Sequence, residues 1–345
     1  MTLGSLIKNI KWRLSKVFLS EEKRSWNKVK NQNIRFKKGE IISLDEYSTY
    51  AAIKQLDNKR VICIYDGKIR NGGLADRLRG IVSVYKMCKE QNLEFKIIFT
   101  SPFNLVKFLE PNKVNWYVSK EELNYNTKVT DICYIDTLNG SDYEAKKQKQ
   151  WFRREFKKKY REFHVRTNAL FSYKENFSLL FSELFKLSPK LQSSIELQKS
   201  IIGTGYISTS FRFMNLLGDF NETFEMHGKI TKEEQNELII KNIEQLQLLH
   251  DRYPGKHILV NSDSATFLQT ASKLDYAYVI PGNITHIDGQ NGSDEYELYE
   301  KTFLDFFMIA NAERIYILRT GQMYNSGYPF AASKIYNRPF EKIEF

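Results

Sequence analysis

Cysteine is scarce in this 345-residue chain: Cys63, Cys88 and Cys133 are far apart and odd in number. No pair has metal-ligand spacing, so a disulfide framework and a structural zinc site are excluded, and reduced thiols in a cytosolic protein are expected. No run of about 18 apolar residues exists, which excludes a membrane-spanning helix. The N-terminus also lacks the continuous apolar core of a signal peptide. Without a route to the secretory lumen, the Asn-X-Ser/Thr matches at Asn139, Asn176, Asn221, Asn283 and Asn291 read as chance matches in an asparagine-rich sequence. No Asp-x-Asp follows a strand, the arrangement a metal-bound diphosphate would favour.

What the chain does contain is basic charge and aromatic residues. Hydrophobic residues make up 42% and aromatics 14%, enough for packed cores. The length favours two domains. Lysine and arginine exceed the acids by 11 and the pI is near 9.2, which suits nucleic acid, an anionic membrane or a phosphorylated small molecule. Leu3, Leu6, Ile7, Ile10, Leu14, Val17 and Phe18 share one helical stripe over residues 3–18, with lysine and arginine mostly opposite. Such a helix can lie in the headgroup layer of an anionic membrane or dock on the protein's own core. Residues 146–163 form the densest basic run. Its aromatics, Trp151, Phe152, Phe156, Tyr160 and Phe163, are expected to pack inward from a solvated helix; a nucleic-acid or lipid face is the competing possibility.

The remaining pattern alternates strands with helices. Arg60–Asp66 reads as a first core strand, Gly72-Gly73 as a turn, and Leu74–Lys89 as a helix with Leu78, Ile81, Val82, Tyr85 and Cys88 inward. Phe95–Phe99 is a further strand. In the second half, strands are expected at Tyr206–Phe211, His257–Asn261, Tyr276–Ile280 and Arg314–Leu318, with helices at Lys232–Tyr253 and Leu298–Ala310. This alternation implies parallel pairing and right-handed crossovers. The fold class is therefore α/β, with an N-terminal extension over 1–45 and domains over 46–200 and 201–345.

Arg212 follows the strand ending at Phe211, and ligands of such sheets bind outside the carboxyl ends of the strands. Its planar, permanently charged fork suits phosphate oxygens. Asp263 and Ser264 follow another strand, where they can cap a helix or meet a nucleotide. Asp305 lies among aromatics, so it is either exposed or held by specific donors. Ser326-Gly327-Tyr328-Pro329 opens the last helix, where amides and a hydroxyl could meet a diphosphate.

These pieces, in this order, resemble the fucosyltransferase superfamily of bacterial and plant α1,2 and α1,6 enzymes and protein O-fucosyltransferases. The match rests on three short stretches. Gly72-Gly73-Leu74-Ala75-Asp76-Arg77-Leu78 resembles the family's Gly-x-x-Gly-Asn-(Arg/Gln) turn beside the acceptor, with Ala75 for the usual glycine and Asp76 for the asparagine. Ser210-Phe211-Arg212 is similar to its His-x-Arg strand end, Ser210 replacing the histidine that meets guanine. Ser326-Gly327-Tyr328 resembles the serine segment that cradles the diphosphate.

The resemblance implies two Rossmann-like domains facing a cleft, of GT-B type, and inverting, metal-independent transfer of fucose from GDP-fucose with no cofactor. It implies donor contacts at Arg212, Asp263, Ser264, Asp305, Ser326, Gly327 and Tyr328. Acceptor contacts fall at Gly72, Gly73, Asp76 and Arg77, and Asp219 is the candidate base. The expected partners are a nucleotide sugar and a glycan, carried on a lipid at the inner membrane face during bacterial surface polysaccharide assembly. No nucleic acid is expected. The alternatives are another nucleotide sugar on the same fold, or a basic nucleic-acid-binding protein built on residues 146–163.

Overall fold

The structure, a computed structural model, describes residues 20–137, 141–168, 176–219, 230–285, 287 and 295–345. The amphipathic stretch expected at 3–18 lies outside the described residues. Two compact units share the chain. The first runs to Gly72 and adds Asp76–Thr100 and Val114–Leu180; the second holds Gly73–Ala75, Ser101–Lys113 and Phe181–Phe345.

The first unit opens with helix α1 (Glu21–Lys37), capped by the Ser20 side chain, which accepts from the Lys23 amide. Trp26, Val29, Asn33 and Phe36 recur at helical spacing and form its buried face. Strand β1 (Arg60–Tyr65), helix α2 (Leu74–Glu90), β2 (Glu94–Phe99), β3 (Thr130–Ile135), helix α3 (Asp142–Glu155) and β4 (Glu162–Thr167) follow. The sheet is wholly parallel in the order β2-β1-β4-β3. Helix α1 docks on edge strand β3, where Asn33 Oδ1 accepts the Tyr134 amide at 2.9 Å and Phe36 meets the Tyr134 ring. Glu21–Lys37 is thus a helix that completes this unit.

The basic run turns its aromatics inward. Trp151, Phe152, Phe156 and Phe163 are all buried, while Arg153 pairs with Glu90 and Lys158 with Glu155 and Asp131. That is the solvated-helix arrangement, with desolvated aromatics on one side and paired charge on the other. Only its first part is helical; residues 162–167 leave it to become the central strand β4.

The division between units is interleaved, and it falls inside helix α4 (Phe177–Leu184). Two contacts assign residues 101–113 to the second unit. Leu109–Pro111 pairs antiparallel with Phe185–Leu187, and the Phe108 ring stacks on Phe303 and Tyr296 at centroid distances of 4.0 and 4.6 Å. The unit continues with α5 (Pro189–Ile202), β5 (Ile207–Phe211), α6 (Lys232–Asp251), β6 (Ile258–Ser262), α7 (Ala265–Ala271), β7 (Ala277–Tyr278), α8 (Tyr296–Asn311), β8 (Arg314–Arg319), α9 (Tyr328–Ile335) and β9 (Phe340–Glu344). Thr231 and Glu234 close a reciprocal capping box at the start of α6.

The second sheet is also parallel, in the order β9-β8-β5-β6-β7. The chain walks outward from β5 to β7, then returns to the other side of β5 for β8 and β9. That is the doubly wound topology, and it fixes a switch point between β5 and β8. Ile207, Phe211, Val260, Phe267, Tyr316 and Leu318 build the core on one face.

Candidate functional site

The carboxyl edge of the second sheet gathers most of the polar residues singled out from the sequence. Arg212 leaves β5 directly at the switch point. Its carbonyl accepts the Tyr324 amide at 2.9 Å, so the loop after β8 is stitched to the arginine's own backbone. Two residues further on, Ser326 Oγ accepts the Tyr328 amide at 3.2 Å, and Gly327 caps α9. The hydroxyl hydrogen of Ser326 is still available to donate. Arg212 and the Ser326 helix start therefore share one edge of one sheet.

Asp263 holds the arginine in place. It is buried, accepts the Phe213 and Met214 amides at 2.8 and 2.7 Å, and lies 3.3 Å from Arg212 Nη1. Met214 takes a left-handed backbone, φ 58°, and the two amide bonds hold it there. Burial pushes the Asp263 carboxyl above its ordinary range, while Arg212 and the two amides pull it back. Burial likewise lowers Arg212, with Asp263 and Tyr324 opposing. An arginine keeps its charge under such a shift.

The other expected donor and base residues are already engaged. Asp219 Oδ2 accepts from the Ser264 hydroxyl at 2.8 Å and from the Thr266 amide at 2.7 Å; Oδ1 makes no bond among the described residues. Ser264 in turn caps α7, accepting the Phe267 amide at 3.1 Å. Asp305 sits one helical turn from Lys301, which donates to it at 3.0 Å and to the Ile280 carbonyl at 2.8 Å. Burial raises the Asp305 carboxyl and Lys301 opposes it. The Tyr328 hydroxyl donates to the Thr302 carbonyl at 2.5 Å and is thereby fixed against α8.

Two buried polar atoms stand at this edge, on Ser210, which the sequence singled out, and on Asn261, which it did not. Ser210 Oγ and Asn261 Oδ1 are buried on register-paired residues of β5 and β6, and neither finds a partner among the described residues. Buried polar atoms are normally satisfied, so unpaired ones at a sheet edge mark a place for a ligand or water. A serine and an asparagine at the ends of adjacent strands, in front of an arginine, were the available signal.

The glycine turn of the first unit is rigidly built. Gly72 has φ +71°, and a Cβ there would lie 2.5 Å from Asp76 Oδ2, so only glycine fits. Arg77 Nε donates to the Gly72 carbonyl at 2.9 Å, and Asp76 pairs with Arg79. Gly80 lets α2 approach β1 and β4; an added Cβ would meet the Thr167 carbonyl at 2.5 Å and the Tyr65 hydroxyl at 2.7 Å. Nothing lies within 4 Å of a Cβ added at Gly73. Asp131, Cys133 and Glu155 could in principle gather round a cation, but the Lys37 and Lys158 ammonium groups already neutralise both carboxylates.

Two parallel α/β units, the second reversing strand order at Arg212, have the GT-B-type fold seen in solved fucosyltransferases. An α1,6-fucosyltransferase, NodZ, solved after soaking with GDP-fucose, matches with a TM-score of 0.54 at 14% identity, over 84% of this chain and 95% of that one. NodZ from Bradyrhizobium matches at 0.52 and 12% identity, over 80% and 92%. A mutant of Arabidopsis thaliana FUT1 in complex with GDP matches at 0.50 and 13% identity, over 94% and 77%. No family model and no curated protein sequence matches the chain.

Proposed function

We propose that this chain is an inverting, metal-independent glycosyltransferase that moves fucose from GDP-fucose to a glycan hydroxyl. The observation that carries it is the 2.9 Å bond from the Tyr324 amide to the Arg212 carbonyl, which ties the loop leading into α9 to the arginine at the switch point. NodZ and FUT1, whose fold this chain shares, were solved with GDP-fucose and with GDP.

The arginine's charge and the Ser326 hydroxyl meet the diphosphate as the sugar–oxygen bond breaks, stabilising the negative charge that grows on the leaving group. Asp263 acts on the donor through Arg212. Asp219 takes the proton of the attacking hydroxyl on its unengaged oxygen, with Ser264 and the Thr266 amide fixing its orientation. Ser210 and Asn261 offer a hydroxyl and a carbonyl to the nucleotide base, and Asp305 keeps its second oxygen for the ribose. The acceptor lies against Gly72, Gly73, Asp76 and Arg77. It is a glycan of a bacterial surface polysaccharide, carried on a lipid at the inner membrane face, which residues 3–18 touch peripherally. No helix among the described residues is long and apolar enough to cross a membrane.

The test is a melting-temperature screen against GDP, UDP, CMP and ADP, followed by turnover of GDP-fucose with and without a chelator. GDP alone is expected to stabilise the protein, and the chelator to leave turnover unchanged. A shift with UDP in place of GDP would transfer the reading to another nucleotide sugar. No shift with any nucleotide, together with steeply salt-dependent RNA binding, would replace it with the nucleic-acid alternative.

A further inference from the structure

The first sheet has a reversal of its own. In the order β2-β1-β4-β3, strands β1 and β4 are neighbours separated by some hundred residues of sequence, the kind of reversal beyond whose carboxyl ends ligands of such sheets bind. Arg166 stands near the end of β4 and Asp66 directly after β1. The two bridge that reversal, Arg166 Nη2 donating to Asp66 Oδ2 at 2.5 Å.

Arg166 is 1% exposed, yet its Nε and Nη1 make no hydrogen bond among the described residues. The Tyr47 phenol donates to His164 Nδ1 at 2.7 Å, and its oxygen also meets the Arg166 guanidinium, leaving Nε and Nη1 as the open donors. Behind it the row is saturated: His164 Nε2 meets Glu162 at 2.6 Å, and Glu162 meets Arg60 at 2.7 Å. Burial holds the imidazole below its ordinary pKa and so neutral, which fixes Nε2 as donor and Nδ1 as acceptor. Every member of the row is paired, and Arg166 Nε and Nη1 are its open donors among the described residues. Asp66 also has acceptor capacity left, since only the Lys68 amide and Arg166 use it. Buried donors left open in this way hold an ordered water or a ligand atom.

We propose that the Arg166–Asp66 pair is a binding site for the neighbouring hydroxyls of a neutral sugar. An adjacent donor and acceptor match a diol, one hydroxyl accepting from Arg166 and the next donating to Asp66. The two arginines and two carboxylates of the row cancel, so no net charge draws an anion, and Asp66 repels one. The half-buried Tyr125, edge-on to Tyr47 and His164, offers an apolar surface beside the pair. The glycosyl-transfer reading is needed only to make that sugar the acceptor.

The test is saturation-transfer NMR on the full chain with a panel of methyl glycosides, and with glucuronate and inorganic phosphate as anionic comparators. Arg166→Lys and Asp66→Asn variants are compared with the unaltered protein, and the GDP melting shift reports folding and donor binding separately. Neutral glycosides should give transfer that each substitution weakens roughly tenfold or more, with the GDP shift unchanged. Absence of glycoside binding, equal binding in Arg166→Lys, or preference for phosphate or glucuronate would overturn the site. Should the variants fail to fold, a crystal of the unaltered protein soaked with the best glycoside decides. A sugar between Arg166 and Asp66 supports the site, and water alone refutes it. Loss of the GDP shift in unaltered protein would sink the donor assignment and leave this one standing.

Discussion

Each unit places an arginine–aspartate pair where its strand order reverses, yet the two pairs differ in how they are held. Arg212 keeps part of its side chain exposed (18%), and its partner Asp263 is filled by two backbone amides, the Ser262 hydroxyl and the arginine itself. The arginine's charge is thus partly exposed at a sheet edge. Arg166 is almost wholly enclosed (side chain 2% exposed), and its partner Asp66 retains acceptor capacity. The same two residue types thus give a cation suited to a diphosphate in one unit and a charge-balanced donor–acceptor pair in the other. The partner's remaining bonds make the difference.

The sharpest way to break that comparison is Arg212→Ala. Removing a preorganised cation from a developing negative charge should lower turnover by about a hundredfold to a thousandfold, with the melting temperature nearly unchanged in the absence of ligand. Unimpaired turnover would erase the distinction between the two arginines. Asp263→Asn should be milder, since an amide can still accept one backbone N–H but no longer balances Arg212. A loss of about tenfold in kcat/KM, more in kcat than in donor KM, is expected for a residue acting through its neighbour. An effect confined to KM would mean direct contact with the nucleotide.

A third prediction concerns the first unit alone. Burial, with Asp76 adding repulsion, raises the Asp136 carboxyl to about 7 from an ordinary 3.8. Because the folded value lies above the unfolded one, the protonated carboxyl favours folding. That contribution is complete below about pH 4 and is lost as pH rises through about 7. Asp136→Asn should therefore flatten the fall in melting temperature between those limits and raise it at pH 8. An unchanged profile would show that Asp136 ionises normally. The smallest effect is expected from Tyr47→Phe, which deletes the hydroxyl that meets His164 and Arg166 in the buried row. It should cost about 1 kcal/mol in denaturant unfolding and leave GDP binding untouched.

The two units also differ in how well the sequence displays them. In the second, β5 and β6 are apolar or small throughout and helices α6, α8 and α9 carry clear caps or stripes, so their order and the Arg212 position could be read directly. In the first, β4 alternates Glu162, His164 and Arg166 with Phe163, Val165 and Thr167, and it follows a lysine-rich helix. A strand whose polar face is buried looks like a solvated one, because the pairing that makes burial tolerable comes from Arg60, Tyr47 and Asp66 far along the chain. Strand β3 and edge strand β9 were hidden for a related reason: each mixes acid, lysine or threonine into a short run. At the edge that holds Arg212 the types of residue were legible, but not their engagement. Nothing local announces that Asp263 is spent on two amides, or that Asp219 meets Ser264 across 45 residues.

The most direct test of the central claim is isothermal titration of GDP and GMP into unaltered and Arg212→Ala protein. If the arginine at the second reversal holds the terminal phosphate, GDP binds more tightly than GMP by roughly tenfold or more, and the substitution removes that advantage while sparing GMP. A GDP preference that survives the substitution would place the diphosphate elsewhere and contradict the account.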